Sequence, residues 1–412
     1  MKSYKTHLTT NPYLKRVRKH KIPYKTRILG KEIIVYPNVM SPKYDWSSRF
    51  HIQKMPNQKG KDFLEIGCGS GIISLFAGFQ GANKITAVDI NKNALLNTKN
   101  NLDNHKIKNF DVFYSDVFKS VNDKYDTITF AAPYHGNKPN NILEYGVSDP
   151  SYRALKIFMN NAKNYLKTNG QIILGFSNTG DIDLLNKLII ENRFFVKNFY
   201  EEENNGWKAY LYILEPIKFK SKKQGYIYDD DLKWFYKYKS KITSGKVLKI
   251  GFGLGYVSHF IWLYNKNIIS LDICSNKDSI FKKNLRIYDG LNIPFLDKSF
   301  DTVVTTYMLH HITLRDKIIK EIIRVSRNNI VILEETYTSL LSKLSLIYND
   351  IKTNFMAKQK VEIHPSKYFK EGEIDNLMKY LKLKIEEKYS SPKRLYKKEL
   401  FIINKGKRIL HT

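Results

Sequence analysis

Three acidic residues at the ends of short apolar runs dominate the first half of the sequence. Phe63-Leu64-Glu65-Ile66 runs into Gly67-Cys68-Gly69-Ser70-Gly71, Lys84-Ile85-Thr86-Ala87-Val88 ends in Asp89, and Asp111-Val112-Phe113-Tyr114-Ser115 ends in Asp116. Glycines are needed where a chain turns sharply or lets a ligand lie against its backbone. A carboxylate about 20 residues beyond such a loop can accept two hydrogen bonds from a ribose diol. The chemistry implied is the binding of a nucleoside-bearing cofactor. Further on, Tyr125-Asp126-Thr127-Ile128-Thr129-Phe130 runs into Ala131-Ala132-Pro133-Tyr134-His135. In an open α/β sheet this is where reacting groups gather, at the carboxyl end of a central strand.

The same order recurs in the second half. Lys246–Ile250 precedes Gly251-Phe252-Gly253-Leu254-Gly255, Ile268–Leu271 ends in Asp272, and Tyr288-Asp289 precedes Ile293-Pro294-Phe295-Leu296-Asp297-Lys298-Ser299-Phe300-Asp301. Two complete sets in one chain are a repeat of the fold.

The elements that must position these residues are strands and helices in alternation. Apolar runs of four to six residues with β-branched content read as buried parallel strands, and Ile72–Ala77 after the first loop reads as a helix. Helices are expected over Lys92–Asn104, Ala154–Leu166 and Ile182–Glu191, with a fifth strand at Gln171–Phe176. Phe194–Tyr200 and Trp207–Leu214 flank the turn Glu203-Asn204-Asn205-Gly206 and read as a hairpin. The second half repeats this with a fourth strand at Thr302–Thr306, a fifth at Ile330–Glu334, and last strands at Lys382–Lys388 and Leu400–Asn404. Residues 336 to 365 have no counterpart in the minimal pattern and are expected to form a helical lid.

These motifs resemble the class I S-adenosylmethionine-dependent methyltransferases, twice in tandem. The spacing is G-x-G-x-G, and an acid or its replacement stands two residues before the first glycine. The first set is similar to the release-factor glutamine methyltransferase-like group. The second, with its L-P-F-x-x-x-x-F-D run and Leu309-His310-His311-Ile312, is similar to ubiquinone-biosynthesis-like small-molecule methyltransferases. The resemblance implies an α/β fold of two Rossmann-like domains, each a seven-stranded, mostly parallel sheet with an antiparallel last strand. It implies S-adenosylmethionine as cofactor, held by Glu65, Gly67, Gly69, Gly71, Asp89 and Asp116 in the first domain. Glu65 would touch the methionine end, Asp89 the ribose and Asp116 the adenine amine. In the second domain Gly251, Gly253, Gly255, Asp272 and Asp289 would take the cofactor. His310 or His311 would line its acceptor pocket, or serve in capping or packing.

Two departures bear on activity. The family tetrapeptide N-P-P-Y is Ala131-Ala132-Pro133-Tyr134 here, so the polar clamp that selects nitrogen is gone. Pro133, Tyr134 and His135 remain as catalytic candidates. Either an enzyme with an altered acceptor or a cofactor-binding module with impaired chemistry is consistent with that loss. Lys249 stands where an acid would face the methionine ammonium. It is expected to swing its charge to solvent, and Lys249→Asp to strengthen binding.

Composition bounds the rest. The 412 residues leave room for two domains. No apolar run reaches the ~18 residues of a membrane span, and no segment resembles a signal peptide, so a cytoplasmic protein is expected without a membrane partner. Cys68 and Cys274 are the only cysteines, which excludes a disulfide framework; no metal is expected. The net charge of +30 favours acidic partners. The excess is mostly Lys spread through the chain, so RNA enters as a partner only through the basic stretch at residues 1 to 31. The expected organisation is a basic leader (1–31), domain one (32–217), a linker (218–244) and domain two (245–412). The favoured function is methyl transfer to a small-molecule acceptor. The alternatives are an RNA- or protein-modifying methyltransferase and a cofactor-binding scaffold. The sequence does not specify an oligomeric state.

Overall fold

The computed structural model describes residues 11–219, 222–357, 363–391 and 395–408. The chain forms two compact units that meet in sequence between Ile217 and Lys218.

After a helix at Pro12–Arg18, unit one has an antiparallel hairpin, β1 (Tyr24–Ile28) and β2 (Lys31–Val35). Its main sheet contains β3 (Asp62–Ile66), β4 (Lys84–Asp89), β5 (Phe110–Tyr114), β6 (Tyr125–Ala131), β7 (Leu166–Ser177), β8 (Phe194–Asn204) and β9 (Trp207–Pro216). The spatial order is β5-β4-β3-β6-β7-β9-β8. The first five are parallel, and β9 runs antiparallel to both β7 and β8. Strand order reverses between β3 and β6, which opens a ligand crevice at their carboxyl ends. β3 is buried on both faces, as a central parallel strand between helical layers must be. The β8–β9 turn is Asn205-Gly206, with φ of 51° and 78°. Both residues are left-handed, which is the backbone a two-residue hairpin demands.

Unit two contains β10 (Val247–Ile250), β11 (Ile268–Asp272), β12 (Leu285–Ile287), β13 (Phe300–Thr306), β14 (Ser326–Tyr337), β15 (Phe369–Lys370), β16 (Leu383–Ser390) and β17 (Lys397–Arg408). Its main path, β12-β11-β10-β13-β14-β17-β16, repeats the order of unit one strand for strand. β15 is an addition, paired in parallel with β14. The expected pair of Rossmann-like sheets is present, with this eighth strand in the second.

At the ends of the domains, residues 12 to 31 of the expected basic leader belong to unit one. Pro12–Arg18 is a helix capped by the Asn11 side chain, with Leu14 and Val17 fully buried. β2 is tied to the helix Lys92–Asn104 by Asn side chains: Asn101 accepts from Ile34 N–H (2.9 Å) and Asn97 from Tyr36 N–H (2.9 Å). Residues 1 to 10 of the expected leader lie outside the described residues. Residues 218 to 244, expected as the linker, contain a helix that belongs to unit two. Lys222–Lys237 is a helix, and Trp234 and Phe235 are buried. Its Asp231 accepts from Lys398 Nζ (2.7 Å) and the Tyr307 hydroxyl (2.8 Å). A buried carboxylate is retained only where such partners meet it. The Asp231 pair therefore fastens this helix onto unit two. Within the stretch 336 to 365, Leu340–Ala357 forms the expected helix.

Candidate functional site

Unit one holds a cavity of about 1040 Å³ at the carboxyl ends of β3, β4 and β6. Glu65, Gly67, Gly69, Asp89, Asp116, Pro133, Tyr134 and His135 all contribute to its wall. The topology alone brings them together, because each follows or ends a neighbouring strand.

The glycine loop is shaped by positive φ at Gly67, Gly69 and Gly71 (70°, 54° and 73°). Gly71 lies off the cavity and caps the helix Ile72–Phe79. A Cβ there would sit 2.8 Å from Thr98 Cα, so the helix Lys92–Asn104 can approach only a glycine. Asp89 braces the loop: Oδ2 accepts from Gly69 N–H (3.0 Å) and Oδ1 from Asn91 N–H (2.8 Å). An ionised carboxylate has about four acceptor positions, so each oxygen keeps capacity for a ligand diol. Burial raises the Asp89 pKa, and the loop N–H groups oppose that rise.

Glu65 is turned into the interior. Its Oε2 accepts from the backbone N–H (2.8 Å) and hydroxyl (2.5 Å) of Ser74, in the first turn of the helix. Burial pushes its pKa up to about 8 against these hydrogen bonds. Asp116 faces Arg153, whose Nη1 donates to Oδ1 at 3.1 Å in an exposed pair.

At the other end of the cavity, Ala131 is exposed where β6 ends, and Ala132 N–H donates to Gly175 O (3.1 Å). The Tyr134 ring lies 4.6 Å from His135 and 6.0 Å from Trp207, centroid to centroid. Burial lowers the His135 pKa, so its imidazole is neutral at neutral pH. Sequence reasoning missed the facing wall of Tyr13, Tyr44, Asp45 and Trp46. The Asp45 carboxylate is held by Ser47 N–H (2.9 Å) and hydroxyl (2.6 Å), and burial raises its pKa. Asp45-Trp46-Ser47-Ser48 is a turn signal ahead of a helix. That local pattern says nothing about which distant loop it will face.

Unit two repeats the loop with φ of 75°, 55° and 82° at Gly251, Gly253 and Gly255. Asp272 Oδ2 accepts from Phe252 N–H (2.6 Å) and Gly253 N–H (3.1 Å), as Asp89 does for its own loop. Asp289 is exposed; Leu291 N–H (2.8 Å) and Asn292 N–H (2.7 Å) donate to it and lower its pKa. Lys249 does not swing to solvent. It is 1% exposed, and its Nζ donates to Ile250 O (2.8 Å) and Gly251 O (2.5 Å). Burial lowers its pKa to about 7, with Asp272 and Glu334 opposing. The short β10 leaves the Lys249 stem no route outward, so its polar end satisfies the underside of the loop instead. Lys249→Asp would place a carboxylate against those carbonyls and should weaken the loop.

His310 lies in the turn after β13. Its Nδ1 is 2.6 Å from Glu334 Oε2 on β14. Burial works to lower its pKa, but Glu334 and Asp350 outweigh that and raise it to about 10.

Comparison with known proteins finds methyltransferase sequences in both units. The methyltransferase small domain family matches residues 31–198, and a methyltransferase domain family matches residues 248–333. A Methanocaldococcus jannaschii protein, provisionally named a protein N5-glutamine methyltransferase, is 34% identical over 168 residues, covering 39% of this chain and 84% of that one. The ribosomal RNA small subunit methyltransferase C of Psychromonas ingrahamii is 28% identical over 34% of this chain, which spans only 38% of that enzyme. The solved ribosomal protein L11 methylase of Lactobacillus delbrueckii aligns at 16% identity over 41% of this chain and 77% of its own, with a TM-score of 0.32. No helix among the described residues is long and apolar enough to cross a membrane. With a relative this similar over most of its length, and two family matches in tandem, the chain belongs to the S-adenosylmethionine-dependent methyltransferases.

Proposed function

We propose that unit one is the transferring module and that its acceptor is a small molecule with a planar face. The observation that carries this reading is the aromatic wall of Tyr13, Tyr44, Trp46, Tyr134 and Trp207 around the exposed Ala131. S-adenosylmethionine fits the other end of the cavity: Asp89 offers acceptors for a ribose diol, and Gly67 and Gly69 leave the backbone open to close approach. When bound, the cofactor supplies an electrophilic methyl group on a sulfonium.

The protein's part is then mainly positioning, which in a displacement supplies much of the rate. Tyr134 and Trp207 orient a planar acceptor. Pro133 fixes the chain direction after β6. The neutral imidazole of His135 can take the proton that the acceptor releases. With alanine at 131 no amide side chain selects nitrogen, so an oxygen or sulfur acceptor is admitted as readily. In unit two Asp272 and the Gly251–Gly255 loop would hold a second cofactor.

A second reading, transfer to a protein glutamine amide, is favoured by the similarity to the Methanocaldococcus protein. Incubating the full chain with methyl-labelled S-adenosylmethionine and a depleted extract, then separating metabolite, protein and RNA fractions, tests both. Label is expected in the metabolite fraction and lost with Tyr134→Ala. Label in protein or RNA instead would overturn the small-molecule reading.

A further inference from the structure

A second group of chemically capable side chains meets in unit two, at the carboxyl ends of β13 and β14. His310 and His311 come from the turn after β13, Glu334 from β14, Asp350 from the helix Leu340–Ala357, and Tyr368 from the residue before β15. His310 and Glu334 are buried, and His311 and Asp350 nearly so.

Glu334 is fully committed. Its Oε1 accepts from Met308 N–H (2.9 Å) and Leu309 N–H (2.8 Å), and its Oε2 takes the Nδ1 side of His310 (2.6 Å). This engages Nδ1 of His310 and directs Nε2 towards Asp350. A carboxylate behind a ring N–H is the usual device for orienting a metal-ligating histidine. The distance from His310 Nε2 to Asp350 Oδ2 is 3.6 Å, and from His311 Nε2 to the same oxygen 3.8 Å. Both are too long for a good hydrogen bond. They are close to the ~3.4 Å that separates two ligands on a tetrahedral ion with bonds of ~2.1 Å. The three ligand atoms all lie within 4.8 Å of one another. The Tyr368 hydroxyl hydrogen-bonds to Asp350 and braces the carboxylate.

We propose that His310, His311 and Asp350 form a binding site for a divalent transition-metal ion of the zinc type. Two imidazoles and one carboxylate suit zinc or cobalt over magnesium or calcium, which take oxygen ligands. Three protein ligands leave a position open, as in catalytic rather than structural sites. The cluster itself lies at the carboxyl end of the sheet, the end at which open α/β sheets bind ligands.

The full chain, stripped with chelator and titrated with Co²⁺ alone, provides the test. One equivalent per chain is expected, with the intense visible absorption of a four-coordinate ion. Asp350→Asn should weaken binding by more than the roughly 10–100-fold lost when the partner behind a ligand is removed. His311→Cys alters a side chain at the edge of the site, where folding is least at risk. It should add a thiolate-to-cobalt charge-transfer band. Failure of the wild-type chain to bind stoichiometrically, or a cobalt spectrum unchanged by both substitutions, would overturn the proposal.

Discussion

Unit one and unit two share a strand order and a glycine loop, yet the buried residue two places before the loop is Glu65 in one and Lys249 in the other. Both side chains serve the same structural need from opposite chemistry. Glu65 accepts from the N–H and hydroxyl of Ser74 at the start of the following helix, whereas Lys249 donates to two loop carbonyls. In each unit a buried polar side chain at this position satisfies groups of the loop or of the helix after it. Each group is driven towards its neutral form by burial, which is how an isolated buried charge is avoided. The acceptor ends diverge more. Unit one has lost its polar clamp and gained aromatic rings, while unit two gathers two histidines and two carboxylates.

The largest expected effect concerns the shared loop. Gly71→Ala combines a left-handed φ with a Cβ 2.8 Å from Thr98 Cα. The strain and the overpacking together should cost about 2–5 kcal/mol. Gly69→Ala, whose Cβ would meet nothing within 4 Å, should cost only about 1–2 kcal/mol. Urea denaturation of the two variants measures the gap, and equal losses would refute the role of Thr98.

The pH dependence should separate the two units by sign. Glu65 titrates at about 8 folded against 4.5 when exposed, so the folded state holds the extra proton. Its contribution is full at low pH and falls as pH rises from about 4.5 to about 8. Lys249 titrates at about 7 folded against 10.5 when exposed, so the unfolded state holds the extra proton. Its burial cost is full below about 7 and is relieved as pH rises towards 10.5. Each swing should amount to a few kcal/mol. Glu65→Gln should remove the falling limb and Lys249→Met the rising one in unfolding curves collected across pH. The reverse assignment would break the comparison.

The smallest expected effect is at Arg153. Its exposed pair with Asp116 should contribute less than about 1 kcal/mol to stability. Arg153→Ala should leave the melting temperature nearly unchanged and make Asp116 available to a ligand. A large drop in the melting temperature would give the pair a structural weight that its exposure argues against.

Much of this was legible in the sequence because it rests on local chemistry. Glycine spacing, strand-terminal acids and the Asn205-Gly206 turn each follow from φ preference or from the period of an apolar run. What was not legible depends on distant partners. Tyr13 and Trp46 join the cavity only because Leu14, Val17 and the Asn97 and Asn101 side chains anchor the chain before β3. The partner of Asp231 was not legible in the stretch 218 to 244, because Lys398 lies well over a hundred residues later. Lys249 misleads in the same way: a long stem can reach solvent in principle, but from a strand buried on both faces it cannot.

Calorimetric titration of the full chain with S-adenosylmethionine, for wild type, Asp89→Ala and Asp272→Ala, tests most directly that each unit binds through its own strand-terminal carboxylate. Losing such a charge-assisted contact is worth roughly 1.5–3 kcal/mol. Asp89→Ala should therefore weaken one site by about tenfold or more and leave the other unchanged, with Asp272→Ala doing the converse. Unaltered binding in Asp89→Ala would contradict the placement of the cofactor in the cavity of unit one.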